Sequence, residues 1–292
     1  MANLKEVKVR ITSVVTTQQI TKAMKMVAAA KLRKSQERII HMRPYSQKLS
    51  VILQSLSGAD QDGGPDWYSV VREEKKILIV VIGADRGLCG SFNSSVFKSA
   101  LKRIQEKYPI QLSGGNVTVL PIGKKAYEFF GKRNMPVIND YWDVFHAISF
   151  DKMSEIGNYL MNAFLKGQYD KIEIVYNEFK NVATQVLRTE SFLPIVPPKR
   201  TTASGVDYIY QPSREEIIAG LIPKSLKTQL FKAVLDSDAA FNGAQMTAMD
   251  KATENAGEIL KELRLTYNRT RQAAITKEIL EIVAGAEALK SA

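Results

Sequence analysis

Apolar residues in the first fifth of the chain recur at spacings of three and four positions, as they do on one face of an α-helix. The stripe comprises Leu4, Val7, Ile11, Val14, Ile20, Met24 and Val27. Glycine is absent from Asn3 to Ser57, so the pattern predicts one long helix over this range, with a kink at Pro44. At 1.5 Å per residue the helix would be roughly 80 Å long, and it therefore requires a partner of similar length.

A second long helix is predicted at the other end of the chain. Helical periodicity returns at Ser213 and continues to the carboxyl terminus, with one interruption at Pro223. Small side chains recur every fourth residue from Ala244 to Ala256, which lets another helix approach closely. From Lys224 onward this helix would be roughly 100 Å long. We therefore expect the two terminal helices to pair in antiparallel fashion, with the second extending past the first.

Between these helices the pattern changes to apolar strands that alternate with amphipathic helices. Residues 75–83 (KKILIVVIG) form a continuous β-branched run, which is typical of a strand buried on both faces. The alternation predicts a parallel, doubly wound sheet, and residues 181–195 predict an antiparallel edge strand or a hairpin. The other predicted strands are 117–123, 135–140 and 171–179, and the predicted helices are 93–107, 124–133 and 150–167.

Together these patterns predict an α/β fold: a long antiparallel coiled coil of the N- and C-terminal helices with an inserted Rossmann-like α/β domain. The predicted segments are residues 1–57 for the first helix, 58–206 for the inserted domain and 207–292 for the second helix. Two loops separate the three segments: residues 58–66 are rich in Gly, Asp and Pro, and residues 196–205 contain two Pro and one Gly. Two paired helices that carry a globular insertion suit a spacing or mechanical role better than catalysis.

Positive charge is concentrated in the first helix. The chain has a net charge of +11, and residues 1–57 contain eleven Lys or Arg residues against two acids, so this segment alone contributes +9. A basic block of this kind is typical of proteins that bind a polyanion, such as nucleic acid or an anionic membrane, and less often an acidic protein surface. A helix face that is merely solvated is the alternative.

Residues that could carry out chemistry are sparse. The only cysteine is Cys89 and the only histidines are His41 and His146, so we expect no disulfide, no structural metal, no cofactor and no catalytic residues. Residues 83–93 (GADRGLCGSFN) follow a predicted strand, where phosphate-binding loops occur, but their glycine spacing matches neither the dinucleotide nor the P-loop pattern. A structural turn is therefore favoured over a nucleotide site. No apolar run of membrane-spanning length and no signal peptide is evident, which predicts a cytoplasmic protein without a transmembrane segment.

Five segments carry motifs that occur together in one protein family. They are ITKAMKMVAAAKLRKSQ (20–36), ADRGLCGSFN (84–93), YNEFKN (176–181), DYIYQPSREE (207–216) and TYNRTRQAAITKEILEIVAGAEAL (266–289). The last segment fits the family signature at Ile275, Thr276, Glu278, Glu281, Gly285 and Ala286. Taken together, the segments resemble the gamma subunit of F-type ATP synthases, and the resemblance covers essentially the whole chain.

The resemblance implies a non-catalytic rotor. The coiled coil would turn inside a hexamer of alternating alpha and beta subunits and couple ion flow through the membrane sector to ATP synthesis or hydrolysis on beta. One copy per complex would also contact an epsilon subunit and the membrane c-ring, with no nucleic acid bound. The protein would lie peripherally on the cytoplasmic face of a bacterial inner membrane.

By the same resemblance, particular residues would contact these partners. An acidic lever loop of the beta subunits would face Lys22 and Lys25, and a catch loop on beta would contact Arg271 and Gln272. The small, uncharged end of the second helix would sit in an apolar bearing formed by the hexamer. This bearing tail comprises Val283, Ala284, Gly285 and Ala286.

Two other functions stay open at the level of sequence. The basic helix would also suit a nucleic-acid-binding coiled-coil protein, and residues 83–93 would be the site of a nucleotide-dependent enzyme. Thiol switching is not expected, because plastid members of the resembled family carry an insert with two cysteines, whereas this chain has Cys89 alone. The loop also departs from the common family pattern at Ala84 and Ser91, so neither residue is given a role.

Overall fold

The computed structural model describes residues 4–57, 67–133, 135–195 and 214–290, with a long helix at each end. In chain order the elements are α1 Leu4–Ser57, β1 Ile77–Ile82, α2 Phe92–Lys107, α3 Pro109–Ser113, β2 Val117–Ile122, α4 Lys124–Phe130, a 3-10 turn Val144–His146, α5 Phe150–Leu165, β3 Lys171–Phe179, β4 Gln185–Leu193 and α6 Arg214–Lys290. The predicted fold class, two long terminal helices with an inserted α/β domain, is confirmed.

Two prolines lie inside the terminal helices, Pro44 in α1 and Pro223 in α6. The predicted interruption at Pro223 is wrong, since α6 is one continuous helix. A proline removes one main-chain hydrogen bond and costs about 3 kcal/mol within a helix. Ile222 and Leu226, on either side of Pro223, are buried in the core, and their packing offsets that cost.

The inserted domain contains a four-stranded sheet in the order β2-β1-β3-β4. β1 pairs in parallel with β2 and with β3, whereas β4 runs antiparallel to β3. The predicted antiparallel edge strand is therefore confirmed as β4. Residues of β1 alternate between the two faces of the sheet. Even-numbered residues join a cluster with α5 and residues 222–234 of α6, and odd-numbered residues join a cluster with α2 and α4, which explains the continuous apolar run.

The strand predicted over residues 135–140 is wrong. This segment makes only one bridge, in which Val119 N–H donates to Pro136 O and Ile138 N–H donates to Val119 O. Pro136 has no N–H of its own to continue a ladder. The short helix α3, by contrast, is a feature that the sequence pattern did not predict.

The chain divides into two compact units, Met1–Val27 with Met246–Ala292 and Ala28–Gln245. The segment boundaries predicted at residues 57/58 and 206/207 remain predictions, because residues 58–66 and 196–213 lie outside the described part of the chain. The strand-like stretch at 207–212 lies there too.

Within each unit, α1 and α6 run antiparallel. In the first unit, Thr21 Oγ1 lies 2.8 Å from Thr253 Oγ1, and Lys25 Nζ lies 2.5 Å from Asp250 Oδ1. In the second unit, α1 contacts the residues of α6 in the same reversed order. There Ser35 Oγ donates to Asp238 Oδ2, and Arg43 Nη2 donates to Asp236 Oδ1.

Candidate interaction surface

The two lysines predicted to face a partner, Lys22 and Lys25, both lie on α1 in the first unit. The Lys22 side chain is exposed. Lys25 instead donates a hydrogen bond to the Asp250 carboxylate on α6, and both side chains of this pair stay partly exposed. The structure thus gives Lys25 a carboxylate of its own chain, while Lys22 remains at the surface.

Three aspartates on α6 balance part of the positive charge of α1, and sequence reasoning missed them. Asp250 pairs with Lys25 in the first unit. In the second unit Asp236 accepts from Arg43 at 3.3 Å, and Asp238 accepts from the Ser35 hydroxyl at 2.5 Å. The sequence feature that could have indicated them is the occurrence of three aspartates within a stretch of small residues on α6. Their partners, however, lie about 200 residues earlier in the chain.

Burial dominates the titration of the two acids in the second unit. It raises the pKa of the Asp236 carboxyl to about 6, although Arg43 and Lys232 act in the opposite direction. Asp236 is fully buried, and among the described residues its Oδ2 has no hydrogen-bond partner. Burial likewise raises the pKa of Asp238, and the hydrogen bond from Ser35 opposes that shift. Both acids are therefore held in places that disfavour their charged form.

The carboxyl-terminal part of α6 presents an exposed surface. Arg271 and Gln272 both have exposed side chains, and so do the residues that follow them, as far as the structure describes their side chains, up to Leu289. The large apolar side chains among these exposed residues are Ile275, Ile279, Leu280, Ile282, Val283 and Leu289. Nothing lies within 4 Å of the position that a Cβ would occupy on Gly285. Exposed apolar side chains grouped at one end of a helix form a candidate surface for a protein partner.

The loop at residues 83–93 is closed by its own contacts. Ala84 N–H donates to Asn93 Oδ1 at 3.0 Å, and Asn93 Nδ2 donates to Arg86 O at 3.2 Å. A Cβ on Gly83 would lie 2.9 Å from the Phe97 ring, so packing against Phe97 accounts for that glycine without a ligand. These contacts support the prediction of a structural turn over that of a nucleotide site.

Reactive side chains show no assembled site in the described residues. The Cys89 thiol is buried, and burial raises its pKa while the contact with Asn93 lowers it. His146 Nδ1 lies 3.5 Å from Asp85 Oδ2, and the His146 side chain is exposed. In the described ranges, no three His, Cys, Asp or Glu side chains are grouped as a metal site would require. The helices in those ranges are also too short or too polar to span a membrane.

Comparison with known proteins covers the full length of the chain. A family model described as ATP synthase matches residues 3–289. The ATP synthase gamma chain of Cytophaga hutchinsonii is 54% identical over 100% of both chains, and that of Flavobacterium psychrophilum is 52% identical over 99% of this chain and 100% of the relative.

Solved structures with the same fold share less sequence. A chain from the OSCP/F1/c-ring structure of the Euglena gracilis mitochondrial ATP synthase has a TM-score of 0.68 at 20% identity, and the match covers 98% of this chain and 94% of that one. A chain from the central stalk and c-ring of the Tetrahymena thermophila mitochondrial ATP synthase has a TM-score of 0.54 at 22% identity, covering 80% and 99% of the two chains.

Proposed function

The chain belongs to the ATP synthase gamma chain family, and we propose that it is the central rotor shaft of an F-type ATP synthase. In that role it couples ion flow through the membrane sector to the synthesis or hydrolysis of ATP. The gamma chain is a non-catalytic subunit, and we assign the catalytic sites to partner beta subunits. The comparisons offer no support for the nucleic-acid-binding alternative.

The observation that carries this proposal is the exposed run on α6 from Arg271 to Leu289. Burial of apolar surface is worth about 25 cal/mol per Å², so six exposed large apolar side chains offer binding energy to a partner that covers them. A hexamer of alpha and beta subunits would form the apolar bearing. Small side chains suit a tail inside this bearing, because they interdigitate little with the surrounding side chains. That tail comprises Val283, Ala284, Gly285 and Ala286.

The shaft acts through differences in binding energy. A pair of helices presents different side chains in different directions, so three identical beta subunits around it meet different surfaces. Each surface stabilises one conformation of the beta subunit that faces it, and rotation passes those conformations from one subunit to the next. No chemical step on this chain is needed.

The charged contacts would be weak and exchangeable. We assign Lys22 and Lys25 to an acidic loop on beta, and Arg271 and Gln272 to a second beta loop. Exposed ion pairs are each worth about 0–1 kcal/mol, so they can form and break as the shaft turns. The internal pair of Lys25 with Asp250 is itself partly exposed and can exchange with such a partner.

The remaining partners follow from the same role. One copy per complex would bind the alpha and beta subunits, the epsilon subunit and the membrane c-ring. It would lie peripherally at the cytoplasmic face of a bacterial inner membrane. Full-length bacterial relatives support this assignment, and so do fold neighbours taken from assemblies that include a c-ring.

Co-purification tests the proposal directly. The chain is tagged in its own bacterium, membranes are solubilised gently, and the subunit ratio and ATPase activity of the purified material are measured. We expect about three alpha and three beta subunits per copy, with ATPase activity. Recovery of the chain alone, or with nucleic acid, would refute the rotor assignment.

A further inference from the structure

A cleft of about 720 Å³ opens within the second unit, between α1, the β3–β4 hairpin and α6. α1 contributes Arg43, Ser46 and Gln47, the hairpin contributes Lys180 and Arg188, and α6 contributes Lys232. We call this the basic cleft. Its volume lies in the range of small-molecule sites, roughly 300–1,000 Å³. Its residues differ from those assigned to the rotor contacts, all of which belong to the first unit.

The basic cleft carries an excess of positive charge. Arg188 is compensated by Glu178, with 2.7 Å between Nε and Oε2, and Arg43 is compensated by Asp236. Lys180 and Lys232 complete the set of four cations, and within the described part of the chain neither forms an ion pair. Glu178 and Asp236 offer two negative charges against these four cations, and Lys232 also acts on Asp236. The cleft thus has a net excess of two positive charges on a concave surface where an anion would be partly shielded from water.

The Arg43 guanidinium is held in place by two hydrogen bonds but has further N–H donors to offer. Its Nη2 donates to the Phe179 carbonyl at 3.0 Å and to Asp236 Oδ1 at 3.3 Å, and both bonds hold the guanidinium at the wall of the cleft. A guanidinium has five N–H donors, and among the described residues those on Nε and Nη1 have no partner. A guanidinium held with free donors is the arrangement that binds phosphate in a bidentate manner.

We propose that the basic cleft binds a small polyanion with a phosphoanhydride chain, held by Arg43, Lys180 and Lys232. The Ser46 hydroxyl and the Gln47 amide line the same cleft and can donate to further phosphate oxygens. Two lysines and one guanidinium, in a cleft with an excess of two positive charges, match an anion with several charges better than a single carboxylate. The chemistry is shared by free pyrophosphate or polyphosphate and by the phosphate chain of a nucleotide.

The test is calorimetric titration of the full-length chain with pyrophosphate, tripolyphosphate, ATP and sulfate at physiological ionic strength. Lys180→Gln and Lys232→Gln each remove one charge from the cleft. Lys98→Gln removes one charge from an exposed position on α2 and is the matched control. We expect saturable binding that weakens about tenfold in each cleft variant and stays unchanged in Lys98→Gln.

The outcomes separate the sources of the ligand and can overturn the proposal. Equal affinity for tripolyphosphate and ATP indicates a free polyphosphate ligand, and at least tenfold tighter binding of ATP indicates a nucleotide. Binding that weakens equally in all three variants would show only diffuse attraction to a chain of net charge +11. That result, sulfate binding as tightly as pyrophosphate, or no binding at millimolar ligand would each overturn the phosphate-chain site.

Discussion

Lys25 of α1 and Asp250 of α6 form an ion pair with 2.5 Å between Nζ and Oδ1. Lys25 is one of the two lysines expected to meet an acidic loop of a partner, so the chain itself supplies the first carboxylate opposite this part of the basic helix. Both side chains remain partly exposed, and water or a partner carboxylate can therefore compete for Lys25. Lys22, three residues earlier, has no such pair among the described residues.

The first prediction concerns the strength of this pair. Lys25→Gln and Asp250→Asn should each lower the free energy of unfolding by less than about 1 kcal/mol, because partly exposed pairs are weak. Urea unfolding of the two single variants and the double variant gives the coupling energy. Lys22→Gln is the matched control and should leave stability unchanged. A coupling energy of zero between Lys25 and Asp250 would show that the pair does not stabilise the two helices.

The second prediction concerns Arg271 and Gln272. Their exposed side chains add little to folding, so replacing both with Ala should leave the unfolding midpoint of the chain nearly unchanged. ATP turnover of the assembled complex should nevertheless fall, because the variant loses the contacts with beta that we propose for these two residues. Arg269→Ala, also exposed on α6, is the control and should turn over ATP at the normal rate. An unchanged rate in the double variant would remove the assigned role.

The third prediction concerns the exposed end of α6. Removing residues 281–292 should reduce torque or coupling in the complex while the rest of the chain stays folded, since the described side chains from 281 onward are exposed. Circular dichroism of the truncated chain and rotation of the complex measure the two effects. Unfolding of the whole chain on truncation would mean that this end packs against the remainder.

Much of the fold was predictable from local pattern. The strand predicted over residues 75–83 forms as Ile77–Ile82, and the predicted strand 171–179 forms without change. These strands and helices could be predicted because continuous β-branched runs and helical periodicity depend on residues that are close in sequence. Pro223 was misread because its effect depends on tertiary packing of Ile222 and Leu226, which local propensity does not contain.

The polar contacts between the long helices were not predictable. Asp236, Asp238 and Asp250 read as ordinary acids, because nothing in their sequence neighbourhood identifies partners about 200 residues away. Helical spacing gives the face on which a residue lies but not the register between two helices. The apolar residues from Ile275 to Leu289 were visible in the sequence, but only the structure shows that the described residues leave them uncovered.

The fourth prediction concerns a buried carboxylate in the inserted domain. Glu173 on β3 accepts hydrogen bonds from Arg103, Lys107 and Tyr108 at 2.9–3.0 Å. Burial would raise the pKa of Glu173, but these hydrogen bonds outweigh it and lower the pKa to about 2. Glu173→Gln should lower the free energy of unfolding by about 2 kcal/mol, because the partly exposed Arg103 and Lys107 lose the charged acceptor of their hydrogen bonds.

The acid dependence of the fourth prediction has a definite sign. Because the native pKa of Glu173 is lowered, its stabilisation is present above pH about 4.5 and is lost as the pH falls toward 2. In urea unfolding, the free energy of unfolding of Glu173→Gln should fall less at low pH than that of the unmodified chain. Glu106→Gln, an exposed pair with Lys102, is the control and should lose less than about 1 kcal/mol. Equal losses of unfolding free energy in Glu173→Gln and Glu106→Gln would contradict the stabilising role of the hydrogen bonds to Glu173.

The last prediction concerns Asp236, whose pKa shift has the opposite sign. Burial raises its pKa to about 6, so the native state holds the proton more tightly than the unfolded chain does. Stability should therefore fall as the pH rises from about 4 to 6, and the share from Asp236 is on the order of 2 kcal/mol. Asp236→Asn should remove that share. The groups that act on it are Arg43 on α1, Lys232 on α6 and Glu178 on β3.

The measurement is the difference in unfolding free energy between the Asn variant and the unmodified chain at several pH values. The difference should change by that amount between pH about 4 and 7, because all other titrating groups contribute equally to both chains. A constant difference would mean that Arg43 fully compensates the buried charge. Asp238, whose pKa burial also raises, would then be a candidate for any fall in stability that the unmodified chain shows over this range.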